Sequence, residues 1–375
     1  MAARHASKSS GSKKPLLVAA VMVAALIVGA GVLVGISTSH QSAAVAHGPA
    51  KEPSFAILAA TPSNTATVDS TASIRIALSQ PLSSASPLPV ITPSVPGSWQ
   101  LLSPTTLEYV QAAPFAPGQS VTVSIPGGPS GLKSSSGKLL STTVTSSFKV
   151  APLSILRVQQ LLAQLGYLPV TFTPSSPANS SVSTADLPGT FSLRWSSLPT
   201  TLSSQWQPGV DNVVTKAAIM RFEDVHGMST DGQPGPSVWT QLLADAAQGK
   251  VDPDPYTYVY VNQSLPQTLQ LYSNGQKVFN ALVNTGIAVA KTDSGTFPVY
   301  LRYKVTTMAG TNPDGTTYND PDIPWVSYFN GGDGLHGFIR PSYGSPQSLG
   351  CVEMTFADAA AVWPQTPIGT LVTVS

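Results

Sequence analysis

Apolar positions recur every second residue through 54–150. Ile74, Ile76 and Leu78 alternate with Arg75 and Ala77, Leu107 and Tyr109 with Glu108 and Val110, and Val121, Val123 and Ile125 with Thr122 and Ser124. Val144, Phe148 and Val150 share one parity. Runs of period 2 separated by turns such as Pro96-Gly97 and Pro117-Gly118 predict a small β-sandwich. From 152 to 247 the period lengthens to that of a helix. Ser154 stands where it can cap a helix carrying Ile155, Val158, Leu161, Leu162 and Leu165 and ending at Gly166. A second helix is expected from about Asn212 to His226, with Ala218, Phe222 and Val225 on one face, and a third after Pro236, with Val238, Trp239 and Leu242. Between the first two lies a Ser/Thr/Pro-rich insertion, 170–211, which follows neither period and contains Trp195 and Trp206. Residues 252–375 return to strands. Thr257 to Val261 is one. Leu269 and Leu271 lead to Asn274-Gly275, a strong two-residue hairpin signal, and Val278 to Val283 leads back. Asp358 to Val362 reads as a short helix.

The N-terminus has another pattern. Arg4, Lys8, Lys13 and Lys14 form a basic tail over 1–14, and 15–37 is almost wholly apolar and carries no charge. About 20 apolar residues suffice to span a bilayer as a helix, and the basic flank would leave the tail in the cytoplasm. The alternative is a cleaved signal peptide, because Ala44-Val45-Ala46 has the small-x-small form of a cleavage site. Both readings put everything after the 38–53 linker outside the cytoplasm.

Composition narrows the function classes. Only 10% of residues are charged and the net charge is +1, so no basic surface is available for a nucleic-acid partner. Gly (30) and Pro (34) are abundant, which suits β modules and linkers. A single cysteine excludes an intrachain disulfide and any zinc site built on two thiolates. No P-loop or HExxH occurs, and no cofactor or metal is implied. The fold class expected is multidomain and mainly β: a membrane helix, a sandwich, a small three-helix module and a β-rich C-terminal domain.

That lone cysteine, Cys351, lies fifteen positions after His336, the only histidine of the last segment, in LHGFIRPSYGSPQSLGCVEM. A free thiol has a pKa of about 8.5 and needs a base beside it to act as a nucleophile near neutral pH. Gly334, Gly337, Gly344 and Gly350 allow close approach of backbone, and backbone N–H groups can meet a developing oxyanion. One Cys, one His and a glycine-lined approach are the minimum for acyl transfer through a thioester. Trp325, Tyr328 and Phe329 are candidates to line a peptide cleft, Arg340 to meet a carboxylate, and Ser348 to hold the cysteine turn.

At these residues the chain resembles the L,D-transpeptidases of the YkuD type, over about 252–375. Their signature is HG, a loop, then S-H-G-C, an apolar residue and Arg or Asn. Here it stands as His336-Gly337, the loop 338–347, then Ser348-Leu349-Gly350-Cys351-Val352-Glu353-Met354. Thr292-Asp293-Ser294-Gly295-Thr296-Phe297 resembles the family's T-P-x-G-x-F lead-in. Upstream, VQQLLAQLGYLP and VTKAAIMRFEDVHGMSTDGQPGPSVWTQLL resemble a peptidoglycan-binding helical module over 152–247, and GSWQLLSPTTLEYVQAAPFAPGQSVTVSI resembles a bacterial Ig-like module over 54–150. The resemblance implies a cell-wall enzyme acting on peptidoglycan stem peptides and open to covalent inhibition by carbapenems. It assigns Cys351 as nucleophile and His336 as general base and acid. The Cys351 and Gly350 N–H groups would serve the oxyanion, and the Gly337 carbonyl would orient His336. Attack by water instead of an amine would give an L,D-carboxypeptidase. Two positions depart from the signature: Leu349 replaces the second histidine and Glu353 the usual Arg or Asn. A non-catalytic wall-binding protein with a degenerate site is the rival expectation. No Arg or Lys follows Cys351, which disfavours a sortase-like site.

Overall fold

The structure, a computed structural model, describes residues 54–175 and 183–375. The expected tail 1–14, apolar span 15–37 and linker 38–53 lie outside the described residues. Among those described, no helix is long and apolar enough to cross a membrane.

Eight strands make the first part: β1 (Ile57–Thr61), β2 (Thr67–Val68), β3 (Ile74–Leu78), β4 (Val90–Thr92), β5 (Gly97–Ser103), β6 (Thr106–Gln111), β7 (Ser120–Ile125) and β8 (Val144–Val150). They form two four-stranded sheets, ordered β1-β3-β6-β5 and β2-β8-β7-β4. The alternation seen in the sequence becomes the inside and outside of this sandwich. Ile74, Ile76, Leu107 and Tyr109 from one sheet meet Val121, Val123, Ile125 and Phe148 from the other in one core.

The helical part begins at α1 (Ile155–Gln164), where Ser154 Oγ accepts the Arg157 N–H at 2.9 Å. The 170–211 insertion folds as a hairpin, β9 (Val170–Pro174) and β10 (Gly189–Leu193), followed by the short α2 (Thr200–Ser203). Its Trp195 and Trp206 pack on the helical core, the latter edge-on to Phe191. Burial of these rings explains an insertion that has no period of its own. Next come α3 (Val213–Val225), capped by Asn212 Oδ1 on the Thr215 N–H at 2.9 Å, and α4 (Pro236–Gln248), closed by Gly249 in the left-handed region. His226 bridges them, with Nε2 2.7 Å from Asp245 Oδ2. The insertion is also tied to the sandwich. Asp69 Oδ2 accepts from Ser183 Oγ at 2.7 Å, Thr184 N at 3.0 Å and Ala185 N at 3.1 Å. Burial pushes the Asp69 carboxyl up, but bonds from Thr71, Ser183 and Thr184 outweigh it and hold the group at about 2.

The last part holds β11 (Thr257–Asn262), β12 (Thr268–Ser273), β13 (Gln276–Leu282), β14 (Gly295–Pro298), β15 (Leu301–Thr311), β16 (Thr317–Asn330), β17 (Asp333–Gly337), β18 (Val352–Met354), α5 (Phe356–Val362) and β19 (Leu371–Val374). Asn274-Gly275, both at positive φ, turn β12 into β13. A five-stranded sheet, β13-β12-β11-β19-β14, and a four-stranded one, β15-β16-β17-β18, enclose a core of Val259, Leu271, Val283, Leu335, Val352 and Val372. Tyr258 of β11 and Leu371 of β19 belong to the core of the helical part instead. The helices and the C-terminal sheets therefore share buried surface.

One buried acid lies inside the helical part. Glu223 on α3 is 2% exposed and accepts the Gly232 N–H at 2.8 Å. Burial pushes its carboxyl up to about 7, the Gly232 bond opposing and the Asp231 charge adding. A raised folded value means stability present below the unfolded value of 4.5 and lost as pH rises through about 7. Glu223→Gln is expected to remove that loss: its thermal midpoint should exceed wild type at pH 8 and match it near pH 4.5 (thermal unfolding followed by circular dichroism at each pH).

Candidate active site

The site is built on the parallel pairing of β17 with β18, in which Leu335 faces Val352, His336 faces Glu353 and Gly337 faces Met354. Side chains alternate along a strand, so His336 and Glu353 share one face while Leu335 and Val352 enter the core, both nearly inaccessible. Cys351 stands two residues before Glu353, so the same alternation turns it to the His336 face. His336, Cys351, Glu353, Asp333, Tyr328 and Arg340 all line one cleft of about 540 Å³. A larger cavity of about 800 Å³ lies between the sandwich and α4, but no nucleophile–base pair lines it.

The loop carrying the thiol is held by buried polar groups. Ser348 Oγ donates to the Cys351 carbonyl at 2.5 Å and accepts the Gly350 N–H at 3.3 Å, closing the turn before Cys351. Thr292 Oγ1, the first residue of the lead-in motif, donates to the Gly350 carbonyl at 2.7 Å and accepts the Gly286 N–H at 2.9 Å. Asn284, fully buried, exchanges backbone bonds with Glu353 at 2.9 and 2.8 Å. Its side chain clamps the preceding loop through Ser342 O and Gly344 N, both at 3.0 Å. Asn284 went unmarked in the sequence because nothing local distinguishes it from other polar strand residues. Asp333 also went unmarked, although it sits in the Gly331-Gly332-Asp333-Gly334 run that leads to the histidine.

His336 is 2% exposed, and its Nδ1 lies 3.0 Å from the Gly337 carbonyl. In neutral imidazole this bond requires the proton on Nδ1, which leaves Nε2 as the basic nitrogen. Burial pulls the imidazole below its ordinary value, opposed by the Gly337 carbonyl and Glu353. Cys351 Sγ donates to the Gly332 carbonyl across 3.7 Å. Burial pushes the thiol up to about 12, the Gly334 N–H opposing and the charges of Asp333 and Glu353 adding. Both shifts run toward the neutral forms, thiol and imidazole, and away from a thiolate–imidazolium pair.

The candidate cleft residues separate. Tyr328 and Arg340 line it. Phe329 is 2% exposed inside the core, 6.1 Å from Phe297, and Trp325 packs on that core and against Trp363 at 5.5 Å. Tyr328 and Phe329 are neighbours on β16 and point to opposite faces, so only one of them can reach substrate. Arg340 is held by Glu353 through Nε–Oε2 and Nη2–Oε1, both 2.7 Å, and lies over Phe338 at 4.6 Å. Leu349 is partly exposed on the cleft wall. The Gly350 N–H is directed at Ser348, which leaves the Cys351 N–H as the candidate oxyanion donor.

Residues 256–374 match the family model of the L,D-transpeptidase catalytic domain, YkuD. Solved structures similar to this chain include an L,D-transpeptidase from Mycobacterium smegmatis (10% identity, 86% of this chain and 100% of that one, TM-score 0.29). Another is L,D-transpeptidase 3 from Mycobacterium tuberculosis (11%, 85% and 98%, TM-score 0.30). A third is the catalytic domain of the E. faecium enzyme acylated by ertapenem (24%, 33% and 99%, TM-score 0.29). No curated protein matches the chain.

Two expectations follow from the geometry. Alkylation of Cys351 by iodoacetamide should be slow at pH 7 and accelerate with each unit of pH up to at least 10; a plateau reaching down to pH 6 would mean a preformed thiolate. Arg340→Ala leaves the Glu353 carboxylate buried without its cation. Loss of one partner of a buried pair costs about 3–5 kcal/mol, and contact of Arg340 with water should reduce this to roughly 2 kcal/mol. Most of the loss should return in the double variant Arg340→Met/Glu353→Gln, as read by urea denaturation.

Proposed function

Starting from an L,D-transpeptidase catalytic domain in residues 256–374, we propose that this chain cross-links peptidoglycan stem peptides by cysteine acyl transfer. The observation that carries the reading is the β17–β18 register, which puts the only thiol and the only histidine of the domain on one face of one cleft.

Substrate binding excludes water and brings the carbonyl of the diamino acid of a tetrapeptide stem to Sγ. His336 Nε2 takes the thiol proton as sulfur attacks, so no thiolate has to exist beforehand. The oxygen that becomes negative receives the Cys351 N–H. His336 then hands its proton to the departing D-amino acid, and a thioester remains on Cys351. An amine of a neighbouring stem attacks that thioester and restores the thiol; water in its place gives a carboxypeptidase. The Gly337 carbonyl holds the histidine tautomer through both halves. Ser348, Thr292 and Asn284 position the loop and do not enter the chemistry.

The remaining assignments complete this proposal. The sandwich serves as an Ig-like spacer, the helical part as a wall-binding module, and the 15–37 run as a membrane anchor or export signal, with the body of the chain on the wall side. One observation favours the rival, a non-catalytic wall binder: burial, Asp333 and Glu353 all oppose ionisation of Cys351.

Incubation with a carbapenem decides between the two. Intact-mass analysis should show one adduct on the wild-type chain and none on Cys351→Ala. A wild-type chain that stays unmodified while binding isolated cell wall would establish the non-catalytic reading.

A further inference from the structure

Asp333 opens β17 and lines the cleft of Cys351 and His336. A Cβ placed on Gly350 would fall 2.2 Å from Asp333 Oδ1. The carboxylate is therefore pressed against the residue that precedes the nucleophile, and only glycine leaves room for it. Among the described residues no cation pairs with it. Arg340 is the one cation among the described residues lining the cleft, and Glu353 already engages it through two bonds. Asp320 also lines the cleft and adds a further acid.

On its own this placement opposes catalysis. Asp333 raises the cost of charge on Cys351. Burial pushes its own carboxyl up to about 6, the Asp293 N–H opposing and the Asp293 charge adding. A carboxylate that works against the thiol and is itself poorly solvated makes physical sense if a cation arrives with the substrate.

We propose that Asp333 is the specificity-determining carboxylate that receives the ammonium group of the acceptor and holds its nitrogen beside the thioester of Cys351. The inference rests on the transpeptidase reading and deepens it. The acceptor's ammonium binds Asp333 and loses one proton to water, giving the neutral amine. The nitrogen lone pair forms the new C–N bond, the C–S bond breaks with its electron pair on sulfur, and the second N–H proton passes through His336 to that sulfur. As it attacks, the nitrogen becomes positive again, and that charge beside Asp333 offsets the field that opposed negative charge on the departing sulfur, so the acceptor assists its own reaction. Water carries no charge and gains nothing from Asp333, so the carboxylate biases the acyl-enzyme toward transfer over hydrolysis.

The test uses the full chain, a tetrapeptide donor and an amine-bearing stem peptide as acceptor, with both products quantified by mass spectrometry. Asp333→Asn should lower the ratio of transfer to hydrolysis about tenfold through a raised KM for the acceptor, the size expected for losing one charge partner. Asp333→Glu should recover part of it. The thermal midpoint of Asp333→Asn should not fall, because a neutral amide replaces a desolvated acid. In the wild type, a quaternary alkylammonium ion, which cannot be acylated, should suppress transfer and spare hydrolysis; this arm needs no variant to fold. An acyl-enzyme that forms normally, with a ratio unmoved by Asp333→Asn or by the quaternary ion, would overturn the assignment of Asp333 alone. A wild type that forms no acyl-enzyme would overturn the transpeptidase reading and this proposal together.

Discussion

Parallel pairing of β17 with β18 brings a histidine and a cysteine from two ends of a loop onto one face, and strand alternation does the rest. Leu335 and Val352 are drawn inward because both faces of the sheet cannot be wet, and their burial fixes the register. A slip of one residue would carry His336 into the core and Leu335 into the cleft. The shared face of Cys351 and His336 is thus enforced by two aliphatic side chains buried in the core.

The same pairing explains why the loop needs so many internal bonds. It leaves β17, travels out around the cleft and must return in parallel. Along its course Asn284, Thr285 and Thr292 satisfy backbone groups that would otherwise be buried and unpaired. Glu353 fits this scheme in a different manner. A carboxylate in so closed a position survives because the Arg340 fork matches both oxygens. Where the signature has Arg or Asn, this chain has an acid, and its cation, Arg340, comes from the loop.

Much of this was readable beforehand, for reasons that can be named. Helix starts at Ser154 and Asn212 depend on one side chain and its own backbone, so local chemistry decides them. The turn at Asn274-Gly275 is equally local. That Cys351 and His336 would line one cleft was legible because only one of each lay in the segment. What escaped depended on partners distant in the chain. Trp195 and Trp206 found their place only once helices from either side of them had packed. Tyr328 and Phe329 go to opposite faces, a separation that period 2 alone settles. Asp333 is an ordinary acid until Gly350 closes on it.

Tyr258 and Leu371 come from strands of the C-terminal sheets yet are buried among the helices. The strand ends that frame the catalytic sheets are therefore continuous with the helical core, and the two parts have no greased seam along which to slide. A helical module gripping the cell wall would then act less like a tether than like the handle of a tool. On that proposed reading, a wall that held the helices would hold the cleft as well, at a fixed orientation to its substrate.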